Sequence, residues 1–168
     1  MTLDTPRLTM RLPVERDAAP LHAIHLDPDV VRFIQIGANP SITGAWTSLA
    51  AMLGHWHLRG YGQWTLVEKA SNEVIGRVGL WNPAGWPGIE LGWIIKRSHW
   101  RRGFAKEATR AALDWTWRHV ETDRVISQIH PDNVPSIELA RTIGLSFEST
   151  TTAAGSEVHI YAIGRPRA

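Results

Sequence analysis

The sequence predicts a single α/β (α+β) domain over residues 1–168, with about seven strands and about four helices. Three observations carry that expectation. The chain has 168 residues, 43% of them apolar, which is enough for one core and too little for two. Its hydrophobic period switches between two residues and about 3.6 in the order strand, two helices, three strands, helix, strand, helix, two strands. The second half also carries helix start and stop residues at the places where that period changes.

The elements follow in order. Leu8, Met10 and Leu12 alternate with Arg7, Thr9 and Arg11, the pattern of a half-buried opening strand. A helix from Glu15 to Leu26 stops before Asp27-Pro28, because the residue preceding a proline avoids the helical region. After the irregular Gly37-Ala38-Asn39-Pro40, a second helix opens near Thr43 and places Trp46, Leu49, Ala50, Leu53 and Trp56 on one face. Gln63 to Glu68 and Val74 to Leu80 read as strands joined by a polar hairpin connection, and Ile89 to Ile95 reads as the next strand. Phe104, Ala108, Ala111 and Trp115 then recur at helical spacing. Val125 to Ile129 is a strand, followed by a short helix between an N-cap at Asn133 and a C′ glycine at Gly144. Strands around Ser146 to Thr151 and Glu157 to Ile163 close the chain.

Composition removes several function classes. There is no cysteine, so disulfides, thiolate metal sites and thiol nucleophiles are excluded, and the cytoplasm is the default compartment. No apolar run approaches the roughly 20 residues that span a bilayer, and residues 1–6 lack a signal-peptide layout, so no membrane partner is expected. A net charge of +2 with both signs dispersed does not argue for nucleic acid. His22 and His25 share a helical face, yet no third ligand accompanies them, and no metal is expected. The pair of glycines at Gly60 and Gly62 precedes a strand instead of following one, which is the wrong context for a dinucleotide fingerprint.

The stretch Trp100-Arg101-Arg102-Gly103-Phe104-Ala105-Lys106-Glu107-Ala108 joins a strand to a helix. The first helical turn leaves N–H groups without partners and carries partial positive charge, so it accepts a phosphate. Gly103 removes a Cβ at the closest approach, Ala105 keeps the next position small, and Arg101, Arg102 and Lys106 add charge. Taken alone, a glycine in a basic turn is more often a plain connection. The nine tryptophans are mainly core and surface cover, but Trp81 and Trp86 sit in a Pro- and Gly-rich loop and are the ones suited to line a pocket.

Several strings in this order resemble the GNAT superfamily of N-acetyltransferases, in the subgroup of the ribosomal-protein N-terminal acetyltransferases (RimJ and RimL type). Thr5-Pro6-Arg7-Leu8-Thr9-Met10-Arg11 is similar to the opening strand, Val74-Ile75-Gly76-Arg77-Val78-Gly79-Leu80 to the third strand, and Glu90-Leu91-Gly92-Trp93 with Trp100 to Ala108 to the coenzyme A motif. Asn133-Val134-Pro135-Ser136 with Gly144 is similar to the second block. The resemblance implies a mixed, mostly antiparallel sheet that splays between its fourth and fifth strands. It also implies acetyl-CoA as cosubstrate, with its pyrophosphate on the N–H groups of Arg101 to Ala105 and its pantetheine arm on main-chain groups of Ile94 and Ile95. Many members of the superfamily are dimers, and that expectation comes with the resemblance alone.

Acetyl transfer from a thioester to an amine needs a neutral amine, a stabilised oxyanion and a proton for the departing thiolate; proximity supplies much of the rest. Glu90, on the strand leading to the coenzyme motif, is the candidate base, directly or through water; an ion-paired edge carboxylate is the alternative. The tyrosine that many members carry four residues before the helix-ending glycine is Ala140 here. Ser136 is the replacement donor, in a position where the resembled subgroup has a serine, against the alternative of an ordinary first-turn hydroxyl. Tyr161 is a weaker choice. Asn133 serves as N-cap and is compatible with a contact to the coenzyme. The acceptor is the amine of a small molecule or of a protein N-terminus. The missing tyrosine motivates a second reading, a coenzyme A-binding sensor or partner module without catalysis.

Overall fold

The computed structural model describes residues 1–34, 41–153 and 155–166, so the irregular stretch 37–40 lies outside the described residues. Eight strands, β1 (Thr2–Asp4), β2 (Leu8–Arg11), β3 (Gln63–Glu68), β4 (Glu73–Trp81), β5 (Glu90–Ile95), β6 (Arg124–Ile129), β7 (Ser146–Ala153) and β8 (Ser156–Gly164), form one sheet among the described residues. Its order is β1-β2-β3-β4-β5-β6-β8-β7. All neighbours are antiparallel except β5 and β6, which run parallel and register only at Glu90 and Ile126. Ile126 N–H donates to Ile89 O at 2.9 Å and Ser127 Oγ to Leu91 O at 2.7 Å. Beyond those bonds the two strands are not paired among the described residues, and an opening runs from Gly92 to Ile95.

The helices are α1 (Ala18–His25), α2 (Pro28–Val31), α3 (Ile42–Arg59), α4 (Phe104–His119) and α5 (Val134–Thr142). Two elements exceed the expectation of seven strands and four helices. β1 has three residues, too few for alternation to show. α2 starts where the first helix was expected only to stop: Asp27 caps it, accepting from Asp29 N–H at 3.0 Å, and Pro28 occupies the first turn. The segment expected to be helical from Glu15 begins as a 3-10 turn, Glu15–Asp17, because Asp17 is drawn into the sheet. Its carboxylate is 1% exposed and accepts from Arg11, Thr65 Oγ1 and Val14 N–H at 2.6–3.0 Å.

The sheet has two unlike faces. One carries Leu8, Met10, Trp64, Leu66, Val78, Leu80 and Leu91, all fully buried, against Phe104, Ala108, Ala112 and Trp115 of α4 and Ile137 and Ala140 of α5. Trp56, Trp64 and Trp115 meet edge to face there at 4.9–5.7 Å, so truncating Trp64 costs about 3–5 kcal/mol. The other face packs Ile94 against Leu21 and Ile24 of α1 and Leu49 of α3. By register it also holds a polar strip that includes Thr65, Gln63, Arg77 and Glu90.

Candidate active site

The candidate phosphate cradle is built by backbone geometry. After β5 and a 3-10 turn at Arg97–His99, Arg101 (φ 56°) and Gly103 (φ 82°) take the left-handed conformation, and Gly103 caps α4. Among the described residues no close, well-aligned backbone hydrogen bond engages the N–H groups of Arg101 to Lys106. They form a concave set of donors at a 16-residue helix. A Cβ at 103 would lie 3.3 Å from Arg7 Nη2 as well as being strained. This donor set fits a pyrophosphate.

Side chains brace the cradle from outside. Arg7 donates from Nε to Glu107 Oε2 at 2.7 Å and from Nη1 to Arg102 O at 2.8 Å, and its guanidinium lies 4.3 Å from the Phe104 ring centre. Thr5 Oγ1 and Arg7 N–H also donate to Glu107. Arg102 pairs with Glu68 at 3.2 Å, so its charge holds the loop, whereas Arg101 and Lys106 are exposed and in no ion pair among the described residues. Phe104 is buried in the core, and only its main chain faces the cradle. Ala105 is half-buried behind it.

The strand opening corrects one expectation. Backbone groups of a strand alternate sides, so two consecutive residues cannot both present theirs to the same gap. Ile94 is registered with Arg77, and its carbonyl points toward Gly76 of β4. The main-chain groups that face the opening belong to Trp93 and Ile95, in phase with Ile89 and Leu91, whose carbonyls bond β6. Trp100 Nε1 donates to Ile95 O at 2.7 Å and fixes the rim of that opening.

The two proton-handling candidates lie on opposite faces of the sheet. Ser136 is half-buried in the first turn of α5, where Asn133 Oδ1 accepts from Ser136 N–H at 3.3 Å. Asn133 therefore acts as the N-cap. Trp93 Nε1 donates to Ser136 Oγ at 3.2 Å, which leaves the hydroxyl hydrogen free to point elsewhere. Ala140 is wholly buried in α5 and supplies no phenol, and Tyr161 is a core residue.

Glu90 projects from the polar face at the closed end of the opening. Oε2 accepts from Trp86 Nε1 at 2.6 Å and Gln128 Nε2 at 3.0 Å. Burial pushes its pKa above the ordinary carboxylate range, against those hydrogen bonds and the Arg77 charge, which favour the ionised form. Trp86, in the loop before β5, thus touches Glu90 directly. Trp81 instead stacks on His55 at 4.7 Å. His55 Nδ1 meets Tyr61 O at 2.8 Å and Nε2 accepts from Asn82 N–H at 2.9 Å, which fixes a neutral ring with the proton on Nδ1. Farther along this face Phe33 stacks on His130 at 5.2 Å. A separate groove between α1, α2 and the Glu73–Lys96 end of the sheet lies away from Glu90.

Sequence reasoning missed Trp93, Gln128, Gln63 and Arg77. Only Arg77 carried a local signal, a charge inside an apolar strand between two glycines. No group of three metal-ligating side chains occurs, and no helix is long and apolar enough to cross a membrane, among the described residues.

A half-splayed sheet with a donor-rich turn at the mouth of the opening defines a class of acyl-transfer enzymes, and comparison with known proteins agrees. Residues 7–146 match the acetyltransferase (GNAT) domain family. The chain is 30% identical to the uncharacterised N-acetyltransferase p20 of Bacillus licheniformis, over 88% of this chain and 83% of that protein. It superposes on the crystal structure of an acetyltransferase from Agrobacterium tumefaciens with a TM-score of 0.85 and 26% identity, covering 97% and 94% of the two chains. RimL, a ribosomal-protein acetyltransferase solved with coenzyme A, shares the fold at a TM-score of 0.79 and 15% identity, over 98% of each chain. The chain belongs to the GNAT acetyltransferase family and is an enzyme that moves an acetyl group onto an amine.

Proposed function

We propose that the donor is acetyl-CoA and that transfer is direct, onto a primary amine of a small molecule or a protein N-terminus. The observation that carries this reading is the N–H donor set at Arg101 to Lys106, placed at the mouth of the β5–β6 opening. The same fold holds coenzyme A in RimL. The coenzyme supplies a thioester. Arg101 to Lys106 bind the pyrophosphate through N–H groups, while Trp93 and Ile95 pair with the arm.

On the polar face Glu90 accepts a proton from the incoming amine, directly or through one water. Burial, which raises its pKa, makes it a stronger base than an exposed carboxylate. The nitrogen forms a bond to the acetyl carbon as the carbon–sulfur bond breaks. On the opposite face Ser136, held by Trp93, donates a hydrogen bond to the departing sulfur, which leaves as a thiolate and takes its proton from solvent. The module without catalysis gains no support from the residues: the phenol is absent at Ala140, but Ser136 offers a hydroxyl without it.

An acceptor screen tests the reading. Purified protein with acetyl-CoA and a panel of amino acids, peptides and simple amines should release thiol in step with N-acetyl product. Coenzyme binding without amine-dependent release across the panel would contradict it.

A further inference from the structure

Arg77 is a buried cation without an anion. It stands in β4 with its side chain on the polar face, registered with Thr65 and Ile94, and is 6% exposed. Its one hydrogen-bond partner is neutral: Nη1 donates to Gln63 Oε1. Nε is enclosed and unpartnered, and no carboxylate forms an ion pair with the guanidinium among the described residues. Glu90 reaches it only as a charge acting through space. Burial lowers its pKa to about 10, so it remains charged at neutral pH.

A buried charge is ordinarily paired, because desolvation without a counter-ion is costly. Two glycines and an amide donor lie on the face between Arg77 and Glu90. Gly79 and Gly92 share this face with Arg77 and Glu90 and contribute no side chain above the sheet. Gln63 Nε2 lies 3.7 Å from where a Gly92 Cβ would stand and has no protein acceptor among the described residues. A guanidinium and an amide donor thus look into the same strip that ends at the candidate base.

We infer that Arg77 and Gln63 receive a carboxylate carried by the acceptor, which makes the acceptor class a small amine bearing a carboxylate near its nitrogen, as a free amino acid does. The inference rests on the transferase reading above. An amine at Glu90 and a carboxylate at Arg77 satisfy both ends of the strip, and a guanidinium is the planar donor that a carboxylate matches.

The test compares amino acids with their methyl esters as acceptors for the wild type, Arg77→Met and Arg77→Lys. The wild type should prefer the acid over the ester by about 10- to 100-fold in kcat/KM, the range for a hydrogen bond to a charged group. Arg77→Met should lose that preference while still acetylating the ester, and Arg77→Lys should keep part of it. Equal use of acid and ester by the wild type, or undiminished preference in Arg77→Met, would overturn the inference and leave the transferase reading intact. Absence of thiol release with every amine would contradict the transferase reading instead. Calorimetric titration of the same amino acids into the coenzyme A-loaded protein then decides the carboxylate site alone: binding lost in Arg77→Met upholds it, and equal or absent binding in both proteins overturns it.

Discussion

Trp93 Nε1 donates a hydrogen bond to Ser136 Oγ at 3.2 Å, linking the strand that borders the opening to the first turn of α5. The bond occupies one lone pair of the serine oxygen and leaves its hydrogen for another acceptor. Trp93→Phe keeps the aromatic packing and removes only the donor. It should lower kcat by a few-fold to about tenfold, the scale of one neutral hydrogen bond, with KM for acetyl-CoA unchanged. Ser136→Ala should cost more, about 100-fold in kcat. Steady-state thiol release measures both.

Glu90 gives a prediction with a definite sign. Its proton-accepting form is lost as pH falls through the raised pKa, so kcat/KM should fall on the acid side, and Glu90→Gln should remove that limb while lowering the plateau by about 100-fold or more. Stability runs the other way. The folded state holds the proton more tightly than the unfolded one, so this group's contribution declines as pH rises from its unfolded pKa through the folded one. Glu90→Gln should therefore leave Tm at neutral pH unchanged or higher. A lower Tm would mean that the carboxylate is needed structurally.

Much of this site follows from local rules. The turn at Arg101 to Lys106 was legible because a glycine, basic residues and a helix start lie within one short string. Ser136 was reached through the resemblance of Asn133-Val134-Pro135-Ser136 to a family string. Arg77, Gln63 and Gln128 were not, because Gln128 meets Glu90 and Arg77 meets Gln63 only through register across β3, β4, β5 and β6, which no single segment encodes. The error at Ile94 has the same origin: strand phase depends on the partner strand. β1 and α2 are too short to impose a period.

Asp17 anchors the polar strip under α1. Burial alone would raise its pKa, but the hydrogen bonds from Arg11, Val14 N–H and Thr65 outweigh it and hold the carboxyl below its usual range. Its contribution is present above the unfolded pKa near 3.8 and is lost as pH falls through the depressed folded value. Asp17→Asn should destabilise by about 3–5 kcal/mol, because it leaves Arg11 without its counter-charge. Chemical denaturation at neutral pH and in acid checks both statements.

His25 reports on Arg77 from α1. Burial first, then the charges of Arg77 and His22, depress its pKa to about 4. The unfolded state binds more protons between that value and 6.5, so stability falls as pH drops through this window. Arg77→Met should raise the His25 pKa, read by NMR titration of its ring. An unmoved titration would place the guanidinium elsewhere.

Gly103 carries the cradle's left-handed turn at φ 82°. Gly103→Ala should cost about 1–2 kcal/mol of stability and weaken coenzyme A binding, since the strain is borne by the same backbone that points its N–H groups outward. Thermal unfolding and calorimetry separate the two effects.

The account stands on a proton acceptor and a hydrogen-bond donor reaching one reacting centre from opposite faces through the β5–β6 opening. The most direct measurement is a crystal structure with coenzyme A bound. The account predicts the pyrophosphate on the N–H groups of Arg101 to Lys106, with the sulfur within hydrogen-bond reach of Ser136 Oγ and open toward the Glu90 face. A sulfur that lies away from Ser136, or an arm that does not enter between β5 and β6, would contradict it.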